Sequence, residues 1–330
     1  MSLSTATVGL RESLGIGSRS KGERPEGSPR ESASTDNRRA ALNVPESLIS
    51  ALKQRVENLQ MLPAVAAQAL ELAKDPDCPM SRFSSVVERD LKLASDILRM
   101  ANSSAFSTGS SVASLHQAVV RLGLRQCRGL ILASSFDSLA RKLGHEDQRL
   151  RNSLSRHGFL TAIIALRLNH LFGLGLQGEE FTAGLMHDLG RILLAVAMPE
   201  EFRNSDPLSF HEGDDLEATE RELFGASHAE FGAWFALENK LPESLVAAIR
   251  FHHAPNEAGD NRRIAAITAA ADHLATFIQR NDGEKYDPQS NPGVAVLQGL
   301  GIATAQSKFL AAAETLVFEC PRVADAMMKE

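Results

Sequence analysis

The chain has 330 residues, of which 43% are hydrophobic and 23% charged, a composition that excludes collagen-like, mucin-like and wholly disordered proteins. A net charge of −6 and a pI near 6.0 argue against a nucleic-acid binder. The three cysteines are widely spaced and form no C-x-x-C pair, which excludes a disulfide framework and favours a reducing, cytoplasmic location.

Apolar residues at helical spacing predict an all-α protein. Residues 1–44 are rich in Ser, Gly and Pro and are predicted to be a disordered tail. Pro45 begins the first helix. Further helices are predicted over residues 64–73, 81–88, 91–101, 114–122, 125–139, 149–171, 179–197 with a break around Gly190, 214–223, 229–238, 242–253, 262–280 and 304–318.

These helices are grouped into an N-terminal helical subdomain over residues 45–145, packed on a second subdomain over residues 146–280. A helical extension over residues 281–330 follows. No apolar run reaches the ~20 residues that a transmembrane helix requires, so no membrane insertion is expected.

Histidines and aspartates stand on apolar helix faces in the second subdomain. Asp188 shares a face with Phe181, Leu185 and Ile192, so a carboxylate points toward the core and requires a metal, a cation or hydrogen-bond donors. The other members of this set have similar settings: His157, His187, His228, His252, His253 and Asp272.

Two interpretations of this set remain open from the residues alone. Imidazoles and carboxylates are suitable ligands for Fe, Mn, Zn or Ni, and a shared aspartate can bridge two ions. Alternatively, the groups form a buried hydrogen-bonded cluster that locks the helix packing. Arg191 has two interpretations as well, because it would either neutralise Asp188 three residues earlier or bind a phosphate-bearing ligand.

Several segments resemble the HD-related output domain, HDOD. In the first half these are LPAVAAQALELAKDPD (62–77), RDLKLASDILRMANSSAF (89–106) and VASLHQAVVRLGLRQCRGLIL (112–132). In the second half they are RHGFLTAIIA (156–165), FTAGLMHDLGRILL (181–194), ASHAEFGAW (226–234) and LPESLVAAIRFHH (241–253).

The resemblance implies a bacterial signal-transduction protein that acts as a scaffold or ligand sensor without catalysis. It implies signalling proteins as partners, and a nucleotide or cyclic dinucleotide as a candidate ligand. In the related HD and HD-GYP phosphohydrolases, the residues that match the seven histidines and aspartates hold metal. A mono- or binuclear site for Fe, Mn, Zn or Mg is therefore expected, and a metal-dependent phosphodiesterase is the alternative function.

Three departures from the hydrolase pattern argue against catalysis. Ser153 stands one turn before His157, where a trinuclear HD-GYP site has Glu. Arg191 replaces the Lys of the HDIGK-like motif, and the segment after His253 has no GYP. We therefore expect a protein that keeps metal ligands but lacks groups that position substrate.

Overall fold

The computed structural model describes residues 42–55, 64–73, 75, 77–106, 109–140, 148–206, 208, 210, 216–280 and 283–328. These residues form helices and no strand, which confirms the all-α prediction. Residues 1–41 of the predicted tail lie outside the described part, whereas Leu42 is buried. The predicted subdomain boundary after residue 145 also lies outside it.

Short helices build the first part of the chain. They are α1 (Glu46–Arg55), α2 (Ala64–Leu72), α3 (Met80–Val87), α4 (Leu91–Asn102) and α5 (Leu115–Ala140). Helix α5 contains a non-helical residue, Gly123, with φ 75° and ψ 159°. Helix α5 is therefore interrupted at Gly123, which agrees with the two helices predicted over residues 114–122 and 125–139.

The loop between α4 and α5 is held by side chains from two of the segments that resemble HDOD. Asn102 Nδ2 donates to the carbonyl of Val112, and Asn102 Oδ1 accepts from the amide of Val112, both at 2.8 Å. Arg121 donates to the carbonyl of Ala101 at 3.1 Å. These contacts satisfy loop backbone groups that no helix pairs, so Asn102 and Arg121 have a structural role here.

Longer helices dominate the second part of the chain. They are α6 (Gln148–Phe172), α7 (Glu179–Met186), α8 (Leu189–Ala197), α9 (Pro199–Ser205), α10 (Leu216–Phe224), α11 (His228–Glu238), α12 (Glu243–Phe251), α13 (Arg262–Arg280), α14 (Pro292–Gly299) and α15 (Ala305–Met328). Single 3-10 turns occur at Pro255–Glu257, Gly259–Asn261 and Pro288–Ser290.

Helices α6 and α13 form the centre of the core. Helix α6 packs against α7, α13 and α15, and α13 also contacts α12 and α14. The predicted inner face of α6 is confirmed, since His157, Thr161, Ile164 and Leu168 are all buried. Close helix packing requires Gly184 on α7, where an added Cβ would lie 2.7 Å from Ala162 Cα on α6.

Some element boundaries differ from the predictions. The break expected around Gly190 lies at His187 and Asp188. The turn formed there brings both side chains to the candidate site predicted from the sequence. Helices α9 and α14 were not predicted. Helix α15 continues past residue 318 and includes Pro321, since buried Cys320, Val323 and Met327 extend its apolar face.

Among the described helices, none combines the length and the apolar character that crossing a bilayer requires.

Candidate metal centre

The seven predicted site residues converge from separate elements. Their positions are His157 on α6, His187 and Asp188 in the turn between α7 and α8, His228 at the start of α11, His252 and His253 directly after α12, and Asp272 on α13. All are buried or largely buried except His253, which is exposed. The cluster therefore lies inside the helix packing and reaches the surface at His253.

Asp188 is the centre of the cluster and faces histidines on both sides. Its Oδ2 lies 3.7 Å from the Nε2 atoms of both His157 and His187. Its Oδ1 lies 3.5 Å from His228 Nε2 and 3.7 Å from His252 Nε2. The two oxygens of one carboxylate thus serve two different sets of imidazoles.

Two groups of potential ligands share this carboxylate. The first group is His157, His187 and Asp272, and the second group is His228, His252 and His253; within each, the donor atoms lie within 4.8 Å of one another. In the first group, Asp272 Oδ1 lies 2.9 Å from His157 Nε2 and 3.3 Å from His187 Nε2. Asp188 with His187 and His252 forms a further set that links the groups.

Glycines allow α8 and α11 to approach closely enough for this arrangement. A Cβ added at Gly190 would lie 1.7 Å from the carbonyl oxygen of His228, and one added at Gly232 would lie 2.9 Å from the amide nitrogen of Gly190. Because His228 itself lies at this crossing and Asp188 is two positions before Gly190, the contact fixes the distance between His228 and Asp188. The start of α11 is itself fixed by a capping box between Ser227 and Glu230.

In three histidines, the Nδ1 atom that faces away from the cluster contacts a hydrogen-bond acceptor. His187 Nδ1 lies 2.8 Å from the carbonyl of Gly184, and His252 Nδ1 lies 2.8 Å from the carbonyl of Ile249. His228 Nδ1 lies 2.7 Å from Oε2 of Glu220. Since these acceptors require a proton on Nδ1, each of the three rings would present an unprotonated Nε2 atom to the cluster in its neutral form, as metal-binding histidines do.

The Nε2 atoms of the second group are close enough to share a proton or to bind one cation. His228 Nε2 lies 3.3 Å from His252 Nε2 and 3.0 Å from His253 Nε2. Two nitrogens that bind one tetrahedral ion at about 2.1 Å are about 3.4 Å apart. The buried Nε2 of His187 also makes no hydrogen bond. A proton on one ring reduces part of the repulsion between the nitrogen lone pairs. The nitrogen and oxygen atoms of the cluster also fit a metal ion, which would reduce this repulsion further.

Both carboxyl groups of the cluster are held in the charged form. Burial opposes ionisation of Asp188, but the imidazole of His187 and the guanidinium of Arg191 outweigh it and hold the pKa of this carboxyl well below its usual value. For Asp272, burial is outweighed by His187 and by a hydrogen bond from His157, so its pKa is also low. Two anionic carboxylates are thus available to a cation.

The histidines of the second group differ in protonation. Burial by itself would lower the pKa of His228. The neighbouring Glu220 carboxylate has the larger effect and raises this pKa to about 9. Although residue 253 reaches the surface, its imidazole packs 4.0 Å from the ring of His252, and this desolvation together with His228 lowers the pKa of His253 to about 4. Burial and His253 likewise place the pKa of His252 well below its usual value. Two neutral imidazoles therefore face one that carries the proton.

Arg191 is held by two carboxylates. Its Nε and one terminal nitrogen donate to the two oxygens of Asp206, each at 2.7 Å, and the other terminal nitrogen donates to Asp188 Oδ2 at 3.3 Å. The Phe210 ring lies 5.4 Å from the guanidinium carbon and stacks on His157 at 4.9 Å. The predicted neutralisation of Asp188 agrees with this geometry, while binding of a phosphate by Arg191 stays a prediction.

Two acidic residues of the site were missed in the sequence. Glu220 has a signal, because it shares a four-residue spacing with Leu216 and Phe224 on α10 and is therefore on the inner face. Asp206 follows α9, a helix that was not predicted, and its long-range contact with Arg191 has no local signal. Glu220 contacts the candidate ligand His228 directly, whereas Asp206 contacts Arg191, which in turn contacts Asp188.

Comparison with known proteins gives one family and several similar folds. The sequence profile of the HDOD domain matches residues 59–255. An HDOD domain protein of unknown function from Geobacter sulfurreducens has a TM-score of 0.66 at 22% identity, covering 84% of this chain and 98% of its own. A putative phosphohydrolase from Shewanella amazonensis SB2B has a TM-score of 0.60 at 26% identity, covering 84% of this chain and 97% of its own.

A curated relative is similar in sequence over much of the chain. It is an uncharacterized protein of Treponema pallidum (strain Nichols), 25% identical over 238 residues. The match includes 72% of this chain but only 45% of the relative, so the chain spans less than half the length of that protein.

Proposed function

Because the chain belongs to the HDOD family, we propose that this regulatory domain of the HD superfamily binds divalent metal ions and acts on other signalling proteins without catalysis. The observation that carries the metal-binding proposal is the convergence of the Nε2 atoms of His187, His228 and His252 on Asp188. Their Nδ1 atoms are engaged by Gly184, Ile249 and Glu220, so the rings are oriented for a cation before one binds.

The chain offers ligands for two ions. The first group would hold one ion with Oδ2 of Asp188, and the second group would hold another with Oδ1. The mixture of imidazole and carboxylate ligands is suited to Fe, Mn or Zn, with the histidine-rich second group least suited to Mg. Bound ions would supply Lewis acidity and an activated water at this position.

The state of Arg191 supports a role without catalysis. The side chain of Arg191 is 5% exposed and its guanidinium is engaged by Asp206 and Asp188, so it is not presented to a phosphate of a substrate. Ser153, which stands where related hydrolases have Glu, accepts hydrogen bonds from Gln279 through both its carbonyl and its hydroxyl oxygen. Groups that would position substrate or water are thus lacking or engaged elsewhere.

The partners that fit this proposal are other signalling proteins and, as a ligand, a nucleotide or cyclic dinucleotide. The three cysteines are free and buried, which favours a reducing compartment such as the cytoplasm.

A metal-dependent phosphohydrolase is the second candidate. The observation that favours it is the sharing of Asp188 by two ligand groups, since paired ions can clamp the oxygens of a phosphoryl centre. The side chains of Asp188 and Asp272 remain 12% and 15% exposed, and His253 lies at the surface, so the cluster is open to solvent. The similarity to the putative phosphohydrolase from Shewanella amazonensis agrees with this candidate.

The two candidates are separated by metal content and turnover. The full chain is purified without chelators, its metal is measured by mass spectrometry, and hydrolysis of cyclic di-GMP and a chromogenic phosphodiester is assayed with added Mn²⁺ or Fe²⁺. Bound metal without turnover is the expected result. Hydrolysis that disappears in Asp188→Ala at an unchanged melting temperature would establish the hydrolase instead, and a wild type without metal would overturn the metal centre.

A further inference from the structure

The distances around Arg191 are unequal. The two hydrogen bonds to Asp206 are 2.7 Å, the usual length for a charge-assisted bond, whereas the bond to Asp188 Oδ2 is 3.3 Å. The guanidinium therefore binds Asp206 through two hydrogen bonds, and it contacts Asp188 only through the other terminal nitrogen. Asp206 is the stronger partner of this cation.

Asp206 is a buried hydrogen-bond acceptor whose position is fixed by its own contacts. Its side chain is fully buried, and besides Arg191 it accepts a hydrogen bond from the amide of Leu208 at 3.0 Å. Its own amide donates to the carbonyl of Phe202 at 2.9 Å, which fixes the carboxylate at the end of α9. A buried guanidinium must be neutralised, and Asp206 does so without using an oxygen of the cluster.

The oxygen that Arg191 does touch belongs to the first ligand group. Oδ2 of Asp188 faces His157 and His187, whereas Oδ1 faces His228 and His252. A guanidinium that moved fully onto Asp188 would take up lone pairs of Oδ2 and place a positive charge beside the first group. The second group, on the other oxygen, would be affected less.

We propose that Asp206 is a positioning residue that maintains the metal affinity of the first group by holding the charge of Arg191 away from Asp188. This inference rests on the proposed metal centre and assigns a role that acts through Arg191 rather than by contact with an ion. It differs from a purely structural salt bridge in that removing Asp206 alone is expected to weaken metal binding at the first group more than at the second, in a protein that stays folded.

The decisive comparison uses Asp206→Asn and the double variant Arg191→Met/Asp206→Leu, with Co²⁺ as the probe. Equilibrium dialysis of each full chain gives the number and affinity of bound ions, and circular dichroism reports folding. A parallel series in a His253→Ala background weakens the second group and so measures the first group by itself. The absorption spectrum of bound Co²⁺ identifies which ligand set is occupied.

The expected results are specific to one group. Asp206→Asn should weaken Co²⁺ binding to the first group by about 10- to 100-fold, the usual effect of removing a partner of a metal ligand, and leave the second group as in the wild type. The double variant, which has no cation to compete for Oδ2, should regain first-group affinity because apolar residues can replace a buried ion pair without loss of the fold.

Other results would overturn the inference. These are unchanged first-group affinity in Asp206→Asn, an equal loss in both groups, or a double variant that does not recover. If Asp206→Asn does not fold, the double variant decides by whether it binds with wild-type affinity at the first group. A wild type that binds no Co²⁺ would overturn the proposed metal centre itself, which distinguishes that failure from the failure of the role of Asp206.

Discussion

His157 Nε2 lies 2.9 Å from Asp272 Oδ1 although the two residues are 115 positions apart in the sequence. The contact joins α6 to α13, the central helices of the core, and it forms one edge of the first ligand group. Helix packing and the candidate metal centre therefore depend on the same pair of elements, and changes in one are expected to appear in the other.

Replacing Glu220 by Gln should weaken metal binding without unfolding the protein. The amide cannot supply the negative charge that Glu220 Oε2 provides to His228 Nδ1 at 2.7 Å, and loss of such a partner lowers metal affinity about 10- to 100-fold. Competition with a metal-sensitive dye measures the change. Glu222→Gln, at an exposed position on the same helix, is the control and should bind as the wild type does. Equal affinity in both variants would contradict the role of Glu220.

Gly190→Ala should separate α8 from α11. Its new Cβ would lie 1.7 Å from the carbonyl oxygen of His228, so the backbone must shift and the free energy of unfolding should fall by about 3 kcal/mol. Urea denaturation measures this loss, and dialysis should show weaker binding at the second group. Gly299→Ala, where an added Cβ meets nothing within 4 Å, should have little effect. A stable Gly190→Ala with full metal affinity would show that the crossing does not place His228.

Asn102→Ala should loosen the loop between α4 and α5. Both hydrogen bonds to Val112 are lost, and since a typical hydrogen bond contributes about 1 kcal/mol and these two lie at an exposed position, the unfolding free energy should fall by about 1 kcal/mol. Asn102→Asp keeps the acceptor for the Val112 amide and should lose less. Hydrogen exchange at Val112 is the local measurement. Unchanged protection of that amide in Asn102→Ala would refute the structural role.

Glu180 is expected to make stability depend on pH. Its carboxyl is 1% exposed, and burial raises its pKa despite hydrogen bonds from the backbone and from Asn169. An acid whose pKa is raised on folding is ionised first in the unfolded chain, so its contribution falls as the pH rises through the usual Glu range toward neutrality. The unfolding free energy of the wild type minus that of Glu180→Gln should therefore decrease between about pH 4 and 7. A difference that is constant with pH would contradict this.

The sequence predicts the helices well because most of them carry an apolar face at helical spacing. The same spacing identified the inner faces that hold His157 and Asp188, and the resemblance to HDOD supplied their grouping. The sequence did not indicate the geometry of the turn between α7 and α8. The helix break lies at His187 and Asp188 rather than around Gly190, because glycine there serves the close approach of α11 rather than the end of a helix.

Acidic residues behind the ligands were harder to predict than the ligands. Carboxylates are usually exposed, so Glu220 and Asp206 have the appearance of surface residues in a chain with 41 acidic groups. Glu220 is identifiable only when its spacing with Phe224 is considered. Asp206 is defined by a partner 15 positions away across a turn, and a local pattern contains no information on that contact.

The most direct test of the metal centre is anomalous X-ray scattering from crystals of the full chain loaded with Mn²⁺ or Zn²⁺. We predict two anomalous peaks on either side of Asp188, one among His157, His187 and Asp272 and the other among His228, His252 and His253. A map without a peak at Asp188, in crystals whose metal content is confirmed by fluorescence, would contradict the central claim.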